Sequence, residues 1–333
     1  MNIMENCFDF NGANVLITGG AGFIGSNLAL TIQKEYPESK ITIFDRFRCD
    51  DFFPSGNPTS LGHFKNLINF KGNVISGDLN SVEDLKFIEN TKWDCIFHEA
   101  AISDTTVTNQ QLMIQTNTNA FRFFIDLAIK NDAHLVYASS AGVYGNSEAP
   151  NIIGEGEKPE NVYGFSKLMM DNIQRNLIKI NPQLKLTGLR YFNVYGQGEY
   201  YKGKTASMIL QLGLQLLKTG KIKLFKYGEQ QRDFVFINDV VQANMKAIGR
   251  PSGVYNVGSG KARTFNDIIS ILSKKMEITP EVEFIDNPYT FYQNHTEADI
   301  QGTKDKLEYE PLWTLEDGIN NYYEEIVQIF NNN

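Results

Sequence analysis

Tyr163 and Lys167 stand four residues apart in NVYGFSK (161–167), and Ser139-Ser140 lies upstream in YASSAGVYG (137–145). A spacing of four puts the tyrosine and the lysine on one face of a helix. A tyrosine so placed suits general-base removal of a proton from a substrate hydroxyl, with Ser140 sharing that proton. The phenol must then ionise near neutrality against an ordinary pKa of ~10, and a drop of about three units takes roughly 4 kcal/mol. A unit charge ~4 Å away in an effective dielectric of ~20 supplies about that much. The sequence therefore predicts that Lys167, together with a second positive charge in the site, lowers the tyrosine. The YxxxK spacing is common by itself; a Ser-Ser pair at a strand end 23 residues before it makes the set specific.

Alternating strands and helices must position these residues. ANVLIT (13–18) is a continuous apolar run of the kind buried in a parallel sheet. A helix over 22–36 and the strand ITIFD (41–45) follow, then a helix over 61–68, a strand over 73–78 and a helix over 82–89. A strand over 94–98, one long helix over 112–130 and the strand 134–139 complete the run. Successive β-α steps of this kind predict an α/β fold, a Rossmann-type doubly wound parallel sheet. A smaller α/β substrate-binding domain is expected beside it.

The first turn of that sheet is TGGAGFIGSN (18–27). Gly19, Gly22 and Gly25 serve, in order, a tight turn, close approach of a pyrophosphate, and packing of helix on strand. The helix N-terminus behind them offers free N–H groups to phosphates. Asp45, 20 residues beyond Gly25 at the end of the second strand, sits where an acid binds an adenosine ribose. These features predict a bound dinucleotide whose nicotinamide is the second positive charge. Asp45 repels a ribose 2′-phosphate, whereas Arg46, Arg48 and Lys65 are positioned to neutralise one, so the residues leave NAD and NADP open. Asp78, ending the third strand, is a candidate adenine contact.

Composition narrows the partners. With a formal net charge of −8 the chain has no electrostatic case for nucleic acid or an anionic membrane surface. No apolar run approaches the ~20 residues of a membrane span. The acidic, interrupted start MNIMENCFDFNG does not resemble a signal peptide. Cys7, Cys49 and Cys95 are far apart and fit reduced thiols in the cytoplasm. The four histidines lack ligand spacing, so no protein-held metal is expected. No GK[ST] follows the glycines, which excludes a kinase-like use of the loop.

Taken together, the motifs resemble the extended short-chain dehydrogenase/reductase superfamily over nearly the whole chain. IFHEAAISDTT (96–106), LRYFNVYG (189–196), KGKTAS (202–207), KLFKYGEQQRDFVFINDV (223–240), GVYNVGSGKARTF (253–265) and YQNHTEADI (292–300) narrow the resemblance. It is to its nucleotide-sugar epimerases, and within them to the branch that inverts the exocyclic C6 of an ADP-activated heptose for lipopolysaccharide. The resemblance implies an NADP-dependent isomerase that forms homo-oligomers, pentamers in that branch. It implies that Phe23 and Ile24 line the pyrophosphate and that Asp45 and Arg46 border the ribose. Glu99, Ala100, Ala101, Ser103 and Asn117 would flank the nicotinamide half, with Lys167 on the cofactor ribose. Tyr163 and Lys202 match the two acid/base residues, and Asn193 and Val194 mark where substrate and cofactor meet. Lys204, Gln211, Phe225, Arg232 and Tyr292 fall at substrate positions.

Chemistry supports two of these assignments independently. Inverting a secondary alcohol through a ketone requires oxidation and re-reduction from opposite faces of one carbon. Once the exocyclic bond has turned, the oxygen faces away from Tyr163 and needs a second proton donor. Burial lowers a lysine's pKa readily, which suits Lys202, although lysines flanking a glycine in a polar loop are more often solvated. The Arg232 guanidinium matches a diphosphate bidentately, or else pairs with Asp233 at the surface. The chain departs from the family pattern at Gln197-Gly198, Lys226-Tyr227-Gly228 and Phe291.

The expected organisation is a cofactor domain of residues 1–189 plus 233–260, where DFVFINDV and YNVGSG add sheet strands, and a substrate domain of 190–232 plus 261–333. Helices are expected over 206–219 and 265–275, and Gly258-Ser259-Gly260 as a crossing between the units. An epimerase or 4-dehydrogenase of another nucleotide sugar, such as a GDP-heptose or a UDP-hexose, is the alternative. A 4,6-dehydratase is disfavoured because Ala141-Gly142, not an acidic pair, follows Ser140. A redox sensor without turnover is disfavoured by the intact Ser140, Tyr163 and Lys167.

Overall fold

The structure is a computed structural model that describes residues 8–286 and 294–332. Its strands are β1 (Asn14–Thr18), β2 (Lys40–Asp45), β3 (Asn73–Ser76), β4 (Cys95–His98), β5 (His134–Ser140), β6 (Leu186–Tyr191), β7 (Asn193–Tyr195), β8 (Lys221–Phe225), β9 (Gln231–Phe236), β10 (Gly253–Val257), β11 (Ala262–Thr264) and β12 (Glu281–Ile285). The helices are α1 (Phe23–Glu35), α2 (Val82–Glu89), α3 (Gln110–Met113), α4 (Ala120–Asn131), α5 (Val162–Ile180), α6 (Met208–Thr219), α7 (Ile237–Ala247), α8 (Phe265–Met276), α9 (Gln301–Leu307) and α10 (Leu315–Asn331).

A seven-stranded sheet in the order β10-β6-β5-β4-β1-β2-β3 is parallel throughout. Six of its strands reproduce the Rossmann order, and the order reverses between β1 and β4, where ligands bind in such sheets. Both faces are covered. Along β1, Val15 and Ile17 join one apolar cluster while Leu16 joins the other, and Phe97 and Ile96 on β4 divide the same way. That two-sided burial is why these strands read as unbroken apolar runs. The first cluster continues through Phe236, Ile209 and Ile326, so the sheet and the C-terminal helices share one core.

Three expectations change. The helix expected over 112–130 is broken, because residues Ile114–Asn119 form a π-helical turn between α3 and α4. Only YNVGSG adds a strand to the large sheet, as β10. The DFVF segment becomes β9, which pairs with β7 and β11 in a separate three-stranded sheet. β8 and β12 form a separate parallel pair. The expected helix over 61–68 is shortened to a 3-10 turn at Phe64–Leu67. Among the described residues no helix is long and apolar enough to cross a membrane.

One buried ion pair fixes α5 on the sheet. Arg190 of β6 and Asp171 of α5, both without exposed side-chain surface, meet at 2.8 Å. Arg190 also meets Glu157 at 2.7 Å and stacks over the Tyr144 ring. Removing one partner of such a pair leaves a charge buried. Asp171→Ala is therefore expected to lower unfolding stability by about 3–5 kcal/mol, read from urea midpoints. Lys221→Ala, which breaks the exposed pair with Glu281, should change it by less than about 1 kcal/mol.

Candidate active site

A cleft of about 670 Å³ opens at the carboxyl ends of β1, β2, β4 and β5. Its floor begins at the glycine turn. Gly19 has φ +68°, and a Cβ there would lie 2.7 Å from the Ala100 nitrogen. A Cβ on Gly25 would lie 2.4 Å from the Gly19 carbonyl oxygen, so α1 sits closer to the turn than any side chain permits. Gly22 is the N-cap of α1 and makes no side-chain cap, leaving the first N–H groups of the helix for a ligand. This side-chain-free cradle fits a dinucleotide pyrophosphate.

Asp45 closes the turn from β2. Its carboxylate accepts from Ala21 N at 2.9 Å and Phe47 N at 2.7 Å, and burial raises its pKa. It thus braces the glycine turn as well as bordering the cleft. Arg46 reaches Asp78 at 3.4 Å and Asp51 at 3.6 Å, and all three line the cleft. Lys65 is exposed and does not line it.

At the other end, Ser140 terminates β5 and Tyr163 opens α5. Burial raises the Tyr163 pKa, an interaction with the Ser140 hydroxyl opposes the rise, and Glu99 adds to it. The Lys167 ammonium donates to the Ala138 carbonyl at 2.7 Å and stands 5.9 Å from the centre of the Tyr163 ring. Burial lowers Lys167 to about 8, while Glu99 and Asp171 support its charge. Glu99 accepts from the Tyr191 hydroxyl at 2.9 Å, and burial pushes it up to about 7.

Asn117 is wholly buried behind the cleft wall rather than in it. Its side chain accepts from Ile102 N at 2.8 Å and donates to Ile102 O and to the Ser166 hydroxyl, both at 3.0 Å. The π-helical turn delivers it there, so Asn117 fastens the Glu99–Ser103 segment to α5. Lys202, half-buried in the loop between β7 and α6, lines the same cleft as Ser140, Tyr163 and Lys167. Its ammonium lies 5.3 Å over the Phe23 ring, and burial lowers its pKa against the pull of Glu199.

Of the remaining expected residues, Ile24, Ala101, Ser103 and Val194 line the cleft. Asn193, Lys204, Gln211, Phe225 and Arg232 do not. The Gln211 amide donates to Lys204 O and Ala206 O. Arg232 is buried facing Phe265, and Asp233 turns away to accept from Ser259, Gly260 and Ala298. Tyr292 and Phe291 lie outside the described residues. The sequence reading missed Asp51 to Gly62, a hairpin held by the Phe52–Pro58 bridge that walls the cleft, together with Asp104, which anchors it through Asn57 and Ser55. The cluster PSGNP (54–58) was the available turn signal.

Known proteins share this fold and sequence. Residues 15–258 match the model of the NAD dependent epimerase/dehydratase family. The chain belongs to that family. This epimerase-family chain is 34% identical to the ADP-L-glycero-D-manno-heptose-6-epimerase of Brachyspira hyodysenteriae, over 93% of this chain and 96% of that protein. It is 48% identical to the Helicobacter pylori ADP-L-glycero-D-manno-heptose-6-epimerase structure, with TM-score 0.89 over 98% of this chain and 99% of that one. A UDP-N-acetylglucosamine 4-epimerase from Methanobrevibacter ruminantium aligns at 26% identity and TM-score 0.82, over 96% of this chain and 99% of that one. The heptose-epimerase resemblance read from the motifs thus extends to the whole fold.

Glu99 ties the site to pH. Its proton is held up to about pH 7 when folded but only to 4.5 when free. The folded chain binds the extra proton between those values, so stability falls as pH rises from 4.5 to about 7. Glu99→Gln should flatten that fall, by at most about 3 kcal/mol. Urea midpoints at about pH 5 and about pH 7 measure it; an unchanged slope would mean that Glu99 ionises freely.

Proposed function

We propose that the chain interconverts ADP-D-glycero-D-manno-heptose and ADP-L-glycero-D-manno-heptose by transient oxidation at C6, using a retained NADP. The observation that carries this reading is that Lys202 lines one cleft with Ser140, Tyr163 and Lys167. A 4-epimerase that flips a whole sugar ring gives such a lysine no role. The similarity to two ADP-heptose 6-epimerases supports the same substrate.

A bound nicotinamide supplies reversible two-electron oxidation at the substrate carbinol. Tyr163 takes the hydroxyl proton as the alcohol becomes a ketone, and Ser140 holds the oxygen. The exocyclic bond then turns, and Lys202 donates a proton to the oxygen as the carbon is reduced from its other face. No net oxidant is consumed. Lys167, anchored on Ala138, orients the cofactor ribose.

For NADP over NAD, the supporting observation is that both Asp45 oxygens accept backbone N–H groups, which blunts repulsion of a 2′-phosphate. Arg46 sits on the cleft wall beside it. The product would serve lipopolysaccharide assembly, in a homo-oligomeric enzyme.

Proton NMR of protein incubated with ADP-D-glycero-D-manno-heptose tests the reading. The L-glycero isomer should appear with wild type, and Tyr163→Phe and Lys202→Met should each lose at least about a hundredfold in rate. A wild-type protein that leaves this heptose unchanged, yet exchanges another sugar at C4, would replace the substrate and keep the redox chemistry.

A further inference from the structure

The loop that carries Lys202 is closed by one carboxylate. Glu199 has no exposed surface. It accepts from Gly196 N at 3.3 Å, where the chain leaves β7, and from Ser207 N at 2.5 Å and Ser207 Oγ at 2.7 Å, where α6 begins. Its own carbonyl oxygen accepts from Lys202 N at 2.9 Å. Ser207 is in turn the N-cap of α6. Both ends of the segment and the lysine's backbone are therefore held by a single residue.

An amide would offer one acceptor oxygen where both carboxylate oxygens accept here, yet a buried carboxylate is costly unless a cation compensates it. The cation here is Lys202, with which Glu199 interacts electrostatically. From α10, Glu325 faces the same interior and accepts from Gly198 N at 2.9 Å, and the Tyr322 hydroxyl lies near both carboxylates. From α1 the loop meets the uncharged Phe23 and Asn27.

We infer that Glu199 is the positioning residue of Lys202, closing its loop and holding the ammonium charge that the second proton transfer uses. The inference rests on the proposed role of Lys202, but its test does not. Lys202 is a cation close enough to Glu199 for the two charges to interact, whether or not it moves a proton in catalysis.

Competitive acetylation with acetic anhydride across a pH series reads the neutral fraction of Lys202 directly, by peptide mass spectrometry, with the exposed Lys223 as internal reference. Glu199→Gln removes the charge and keeps the size. Its Lys202 should label about tenfold faster than wild type near pH 8, an effect of one pKa unit. Glu199→Asp keeps the charge and should stay within about twofold of wild type. Glu325→Gln, which removes the other carboxylate, should not accelerate labelling. Cofactor content and circular dichroism are measured for each variant. In turnover, Glu199→Gln should lower kcat more than it changes KM and move the Lys202-dependent limb of the pH profile toward acid.

Equal labelling of wild type and a folded Glu199→Gln would overturn the inference. So would acceleration by Glu325→Gln matching that of Glu199→Gln. If Glu199→Gln does not fold, Glu199→Asp decides: fast labelling in a folded chain that keeps the charge overturns it. Full activity in Lys202→Met would remove the second acid/base and leave the labelling result standing.

Discussion

The position of every reactive group on the large sheet depends on Asp171, a carboxylate sealed from water in the middle of α5. It accepts from the Tyr137 hydroxyl at 2.9 Å and the Ser139 hydroxyl at 3.0 Å on β5, and from Arg190 Nε at 2.8 Å on β6. Asp171 lies one helical turn beyond Lys167 and two beyond Tyr163. Its bonds set how far α5 can slide along β5, and Ser140 is the next residue after the Ser139 it holds. The ion pair is a poor source of net stability, because both charges lose their hydration. What it imposes is a single register between the tyrosine and the serine.

The same register sets where Lys167 stands relative to Tyr163, 5.9 Å from the centre of its ring. A helix fixed at this height brings the lysine's long side chain down to the Ala138 carbonyl. Glu99 and Asp171 then compensate its charge from two directions. Burial lifts Tyr163, and the Ser140 hydroxyl opposes the rise. Charge spacing along a helix face could predict that the two side chains share a face, but not which way the ammonium points.

Much of the fold was legible because parallel strands buried on two faces leave unbroken apolar runs, and because glycines mark a turn that admits no side chain. The missed features share a different cause. The run DFVF (233–236) is equally apolar whether it joins the seven-stranded sheet or the three-stranded one, so composition could not assign it. IQTNTN (114–119) continues a helical pattern, and nothing local says that its hydrogen bonds widen to the π spacing. Arg232 and Asp233 are adjacent, which invited a surface pair. On a strand, neighbours point to opposite faces. Asp233 therefore tethers the Gly258–Gly260 turn while Arg232 faces Phe265.

The two proposed acid/base residues stand on different supports, and epimerisation at one carbon requires them to share a frame. Tyr163 is fixed through α5 to the large sheet. Lys202 belongs to the β7–α6 loop, held inside by Glu199 and outside by the segment that follows β2. There Arg48 donates to the Tyr201 carbonyl, and the His63 ring stacks on Tyr201 with centroids 3.8 Å apart and planes at 3°. His63 N donates to the carbonyl of Ala21 in the glycine turn, and Asp45, which begins that segment, accepts from Ala21 N. Burial, Arg48 and Lys65 all lower the His63 pKa, so the stacked ring stays neutral beside two cations. The glycine turn thus braces the lysine loop as well as the cofactor site. A change at this clasp reaches Lys202 through the Tyr201 backbone and ring that it holds.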